Sequence, residues 1–198
     1  SIFINIIFGV LDTKFPLKWD LTNDKLLTLS KESKEYAKAI KDDITITICT
    51  EETAFTAPNT GYEELDSVVS QFYSALQQYK SLSKGKVTFS FVDLTTDITK
   101  SAELSQYNVS AGSILYQSGK RYAVSAIADL YSYDENYETY MAYKNYGQQY
   151  DGEYSFNSLV ERSLMMNINK ITGVALNPIT MLTGHGEDED TVSALTEF

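Results

Sequence analysis

Residues 62–82, "YEELDSVVSQFYSALQQYKSL", place Leu65, Val68, Val69, Phe72, Leu76 and Tyr79 on one face of a helix. A stretch of period two lies on either side. "DITITIC", 43–49, alternates isoleucine with threonine, and "KVTFSFVDL", 86–94, alternates Val87, Phe89 and Phe91 with polar residues. A long amphipathic helix between two alternating strands leaves few folds open, because the helix must cross over the sheet that the strands build. The chain continues in kind. "TTDITKSAELSQY", 95–107, reads as a capped helix. "GSILYQSGKRYAVSAI", 112–127, reads as a hairpin turning at Ser118-Gly119, and "SFNSLVERSLMMNINKIT", 155–172, as a helix with Phe156, Leu159, Val160, Leu164 and Ile168 inward. Ahead of the first strand, Ser30 and Ser33 offer N-caps to a weaker helix with Tyr36, Ala37 and Ile40 on its stripe.

From 43 to 172 the order is strand, helix, strand, helix, strand, strand, helix. The expected fold is therefore α/β, a mixed sheet with crossover helices in a thioredoxin-like element order. The short apolar run "PITMLT", 178–183, and the acidic start of a helix after it open a further α/β unit. Three segments follow from this: a lead-in at 1–28, an α/β domain at 29–172 with a tyrosine-rich insertion at 131–154, and a further strand and helix at 173–198.

Composition narrows the functions. A net charge of −11 argues against nucleic acid as a partner, because phosphate binding needs a basic face, and disfavours adhesion to an anionic membrane by charge. The chain is 43% hydrophobic with three prolines and ten glycines, which suits a packed core and not a low-complexity linker. Cys49 is the single cysteine, so no internal disulfide forms. The opening stretch "SIFINIIFGVL" is apolar but too short to span a bilayer, which takes roughly twenty residues. It reads either as a core element or as the outer end of a transmembrane helix. The chain does not begin with methionine, which leads us to expect a piece of a longer protein.

Three features invite a chemical reading. Cys49 stands at the carboxyl end of the first strand, where a thioredoxin-like enzyme keeps its redox pair. The second cysteine is absent from Cys49-Thr50-Glu51-Glu52, the next helix is expected about a dozen residues later, and two glutamates would raise the thiol pKa. No proline stands at Ala111-Gly112-Ser113, where that fold usually has one. A buried structural cysteine is the better reading.

His185, the lone histidine, lies in "MLTGHGEDED", 181–190, beyond a strand's carboxyl end, where α/β folds gather ligands. A metal site would need further histidine, cysteine or converging carboxylates. Calcium on Glu187, Asp188 and Asp190 lacks the glycine placement of an EF-hand loop. Serine–histidine catalysis lacks its G-x-S-x-G elbow. A glycine-bracketed turn followed by an acidic helix start is the plainer reading. No phosphate-cradling glycine loop is present either, so the chain is not expected to be an ATPase itself, and no motif for any other cofactor stands out, so none is expected.

Eight of the chain's fifteen tyrosines fall between 131 and 154, in "YSYDENYETYMAYKNYGQQYDGEY". Steps of three or four, as at Tyr137, Tyr140 and Tyr143, would put many rings on one helical stripe. Tyrosine is apolar on its face and polar at its tip, which suits an interface or a sugar-stacking surface. The alternative is an insertion folded over the sheet edge with its rings half buried.

Four stretches carry a resemblance: "KWDLTNDKLLTLSKES" at 18–33, "LDSVVSQFYSALQQYKSLSKGKVTFSFVDL" at 65–94, "SILYQSGKRYAVSAI" at 113–127 and "ITMLTGHGE" at 179–187. In order and spacing they resemble the auxiliary proteins of uncharacterized ABC transport systems, the group that includes the gliding-motility protein GldG. The resemblance implies a non-catalytic extracytoplasmic module, membrane-anchored in the full-length parent at the cell membrane. Its implied partners are the ABC permease and ATPase subunits of the same system, with an extracellular ligand as a further candidate. It brings no catalytic residues. His185 and Glu187 carry over as a signature of unknown role, and with Tyr137, Tyr140 and Tyr143 they are the candidate ligand- or partner-binding residues. The competing expectation is an α/β hydrolase or glycan-processing enzyme using the His185 loop.

Overall fold

A computed structural model describes residues 27–173 of the chain. The lead-in "SIFINIIFGVL" and the His185–Glu187 loop lie outside the described residues.

The domain is α/β, built on a four-stranded mixed sheet. Strand β1 (Ile44–Ile48) is followed by a short helix α2 (Thr53–Thr56), the long helix α3 (Glu63–Leu82) and strand β2 (Val87–Phe91). Helix α4 (Ile98–Leu104) leads through a 3-10 turn to the hairpin β3 (Ser113–Ser118) and β4 (Arg121–Ala126). Strand order is β2-β1-β3-β4, with β1 parallel to β2 and antiparallel to β3. The parallel pair needs the crossover that α3 supplies, while β3 and β4 need only the Gly119-Lys120 turn between the paired Ser118 and Arg121. Helix α1 (Lys31–Ala39) precedes β1, and helix α6 (Val160–Thr172) closes the described chain.

The period-two pattern of β1 sorts its side chains onto two faces. Ile44, Ile46 and Ile48 are fully or almost fully buried in the main core with Val87, Ile114 and Tyr116 from neighbouring strands. Phe72, Ala75, Leu76 and Tyr79 of α3 and Leu164, Ile168 and Ile171 of α6 cover them. A smaller cluster on the other face joins Cys49, Leu104 and Leu115 to Val92, Leu94, Tyr107 and Val109.

Capping follows the sequence closely in two helices. Ser30 accepts a hydrogen bond from the Ser33 amide at the start of α1, and Asp97 accepts from Lys100 at the start of α4. Helix α1 is also tied to α6. Glu161, in the first turn of α6, accepts from the Ser30 amide at 3.0 Å, from Ser30 Oγ at 2.5 Å and from Ser33 Oγ. Further along, Tyr36 Oη donates to Asn169 Oδ1 at 2.7 Å. An acid in a first turn also faces the positive end of the helix dipole, so this knot stabilises both helices at once.

Two expectations need correction. The loop after β1 holds helix α2, beginning at Thr53 and not a dozen residues on, because Phe55 is buried against Phe72 and Phe91, with ring centroids 5.8 and 5.3 Å away. The last helix starts at Val160 and not at Ser155. Residues Phe156–Ser158 form strand β6, paired antiparallel with β5 (Tyr131–Tyr133) in a second, two-stranded sheet. Tyr131 stacks on Phe156 across that pair at 5.4 Å, a cross-strand aromatic contact that favours the strand over one more helical turn.

Candidate tyrosine-rich contact site

The tyrosine-rich insertion is held between β5 and β6. Its helix, α5 (Glu135–Asn145), starts at Asp134, whose carboxylate accepts from the Tyr137 amide at 3.0 Å and from the Ser155 amide at 2.9 Å. One side chain thus caps the helix and pins the returning strand. The far end closes with paired bonds from Gly147 N to Lys144 O and from Gln148 N to Tyr143 O. That is a Schellman motif, and Gly147 takes the left-handed conformation it requires, with φ of 66°.

The aromatic residues sort by depth. Tyr137 is wholly buried and packs on Tyr133, Tyr140, Tyr154 and Phe156, with ring centroids 4.9–5.5 Å away. Tyr140 is half-buried and stacks on Tyr154 at 4.6 Å and 19°. Tyr150 bridges Tyr140 and Tyr143 at 6.4 and 5.5 Å. Outermost are Tyr143, 42% exposed, and Tyr146, 82% exposed. Of the three candidate tyrosines on this helix, therefore, Tyr143 faces outward, Tyr140 supports the surface, and Tyr137 is the hub beneath it.

Polar atoms anchor this cluster to the start of α3. Tyr154 Oη donates to Glu64 Oε1 at 2.5 Å and Tyr137 Oη to Glu64 Oε2 at 3.4 Å. Burial first, and then the Glu64 carboxylate, hold both phenols protonated well above the ordinary tyrosine range. Lys144 lies 5.3 Å from the Tyr62 ring centre and 5.5 Å from that of Tyr140, and donates to Tyr140 Oη at 3.2 Å. Tyr62 Oη donates to Asn145 Oδ1 at 2.7 Å. The arrangement is a rigid aromatic surface with polar tips, suited to stacking and hydrogen bonding.

Cys49 is fully buried, and burial pushes its thiol pKa up. The Cys49 amide donates to Ser113 O at 2.8 Å and its carbonyl accepts from Gly112 at 2.9 Å, which fixes the strand end in the core. The sequence reading of a structural cysteine matches this placement. Among the described residues, no three histidine, cysteine, aspartate or glutamate side chains are grouped to hold a metal ion. Among those residues also, no helix is long and apolar enough to cross a membrane.

Sequence reasoning missed the part that Glu64 and Tyr62 play. Their distance from the tyrosine segment in the chain hid it, and the only signal was an acidic start to a helix that needs no further explanation.

Residues 23–130 match the model of a family described as a domain of unknown function, DUF7088. No curated protein matches the chain. The matched span takes in the whole four-stranded sheet and ends just before the tyrosine-rich insertion.

Proposed function

The chain belongs to this DUF7088 family, and we propose that it works by contact as an extracytoplasmic accessory module of a membrane ABC transport system. The α5 surface would be its docking face for the permease. The resemblance to ABC auxiliary proteins at 18–33, 65–94, 113–127 and 179–187 motivates the partner. The observation that carries the mode of action is the display of Tyr143 on helix α5 and of Tyr146 at its C-cap, over a base packed by Tyr137, Tyr140 and Tyr154. Rings exposed on a rigid base lose little conformational entropy on binding, which is why tyrosine is enriched at contact hot spots.

The scaffold fits this reading. Its β2-β1-β3-β4 sheet supports a thioredoxin-like ancestry, with Cys49 buried and Glu52 where a redox pair would place its second thiol. A sheet of this kind, without the pair, serves as a platform for loops and insertions.

The test is direct. The purified permease–ATPase complex of the same system, in detergent, is titrated with this chain and with its Tyr143→Ser/Tyr146→Ser variant. Binding that weakens about tenfold or more in the variant, at unchanged circular dichroism, supports the proposal. Absence of binding, or equal binding by both proteins, removes it.

A further inference from the structure

A second surface stands apart from the tyrosines. Strand β4 is an edge of the four-stranded sheet, with β3 its single strand neighbour among the described residues. The pairing register fixes which backbone groups point away from β3. Ser118 and Arg121 close the hairpin, and Ile127 N donates to Gly112 O at 2.9 Å. Alternation along an antiparallel ladder then aims Arg121, Ala123 and Ser125 at β3, and Tyr122, Val124 and Ala126 away from it. The Ala126 amide is taken by Asp129 Oδ2 at 2.8 Å. The N–H and C=O groups of Tyr122 and Val124 are left facing outward.

Beside this edge runs a groove of about 210 Å³ between β4 and α6. Leu159 and Met166 supply apolar wall, and Arg162 and Lys170 supply charge. Buried Asn167 lines it too, and its side-chain carbonyl oxygen has no hydrogen-bond partner among the described residues. Arg121 lies at the Gly173 end of α6. The chain has only two arginines, Arg121 and Arg162, and both stand on this face. Neither they nor Lys170 is in an ion pair among the described residues, although acids outnumber bases by 27 to 16 in the chain. Asp129 is the one acidic side chain lining the groove, and its carboxylate is engaged by the Ala126 amide.

We propose that the β4 edge and the β4–α6 groove bind an extended peptide segment of a partner protein that carries acidic side chains at alternate positions. The peptide adds a strand at Tyr122 and Val124, and every second side chain turns toward Arg121, Arg162 and Lys170. Main-chain bonds then give affinity, and the alternate side chains give specificity. Cations beside an edge also disfavour pairing with a second copy of the same edge, since like charges would meet. That argues for an acidic partner over a dimer.

The probe is a fluorescein-labelled peptide of alternating glutamate and valine, with a lysine-for-glutamate peptide as control. Fluorescence anisotropy is read against the full chain. The acidic peptide is expected to bind, more weakly as salt rises, and the lysine peptide is not. Arg162→Glu/Lys170→Glu is expected to weaken binding about tenfold or more. Val124→Pro, which removes one outward N–H, is expected to weaken it comparably, because an edge position tolerates proline. Tyr143→Ser/Tyr146→Ser should leave it unchanged, which separates this surface from the α5 face. No binding of the acidic peptide, equal binding of both peptides, or retention of affinity in the charge-reversal pair overturns the proposal. Self-association of the chain that blocks the peptide also overturns it. If Val124→Pro unfolds the chain, the charge-reversal pair alone decides.

Discussion

Tyr154 and Glu64 are joined by a 2.5 Å hydrogen bond, although ninety positions separate them in the chain. The bond ties the end of the tyrosine-rich insertion to the first turn of the long helix α3. Glu64 also accepts from Tyr137, so one carboxylate orients two phenols. Replacing Glu64 with alanine should cost about 1–3 kcal/mol by leaving the Tyr137 hydroxyl unpaired beneath the surface. Glu64→Gln keeps a carbonyl acceptor and should lose less. Chemical denaturation compares the two, and hydrogen exchange should quicken across α5 more than across β1 and β3.

Tyr137 is the keystone of the insertion. Its ring is fully buried among four other aromatic residues. Tyr137→Ala should destabilise the chain by about 3 kcal/mol or more, in the range of large-to-small aromatic deletions, while Tyr137→Phe should cost about 1 kcal/mol. Thermal melts of the two variants test this. Equal, negligible losses would show that the insertion is not packed as described.

Cys49 should resist modification. Its side chain is buried and its pKa is raised by that burial, so both access and thiolate are scarce. An aromatic disulfide reagent at neutral pH should label it only as fast as the chain unfolds, and denaturant should make labelling immediate. Rapid labelling of the folded protein would contradict the placement of this residue.

Alkaline pH should unfold the protein. Tyr36, Tyr79, Tyr137 and Tyr154 are held well above the ordinary tyrosine pKa, with burial as the first cause in each, and Tyr116 is pushed up to about 12. The sign follows from linkage. Above pH of about 10 the unfolded chain releases phenolic protons that the folded chain retains, so stability is full below that pH and falls as pH rises toward the folded values. Denaturant midpoints measured at pH 7, 8.5 and 11 should be similar at the first two and lower at the third.

The sheet was legible in the sequence for physical reasons. Ile44, Ile46 and Ile48 alternate with small polar residues, and α3 repeats its apolar side at the helical period, so each element announces the face it buries. Helix α2 was not legible, since a four-residue helix holding one buried ring has no period to read. Strands β5 and β6 were hidden for a similar reason: three residues each, in a tract where tyrosine recurs at many spacings. Periodicity marked Tyr137, Tyr140 and Tyr143 as a stripe. It could not rank them by depth, because the order is set by Phe156, Tyr154 and Glu64, which come from other elements.

The proposed contact through the α5 surface is tested most directly by the dissociation constant of this chain for the purified permease–ATPase complex, with and without Tyr143→Ser/Tyr146→Ser. We predict specific binding by the native sequence and a loss of about tenfold or more in the folded variant. Identical affinities for the two, or no binding by either, would contradict it.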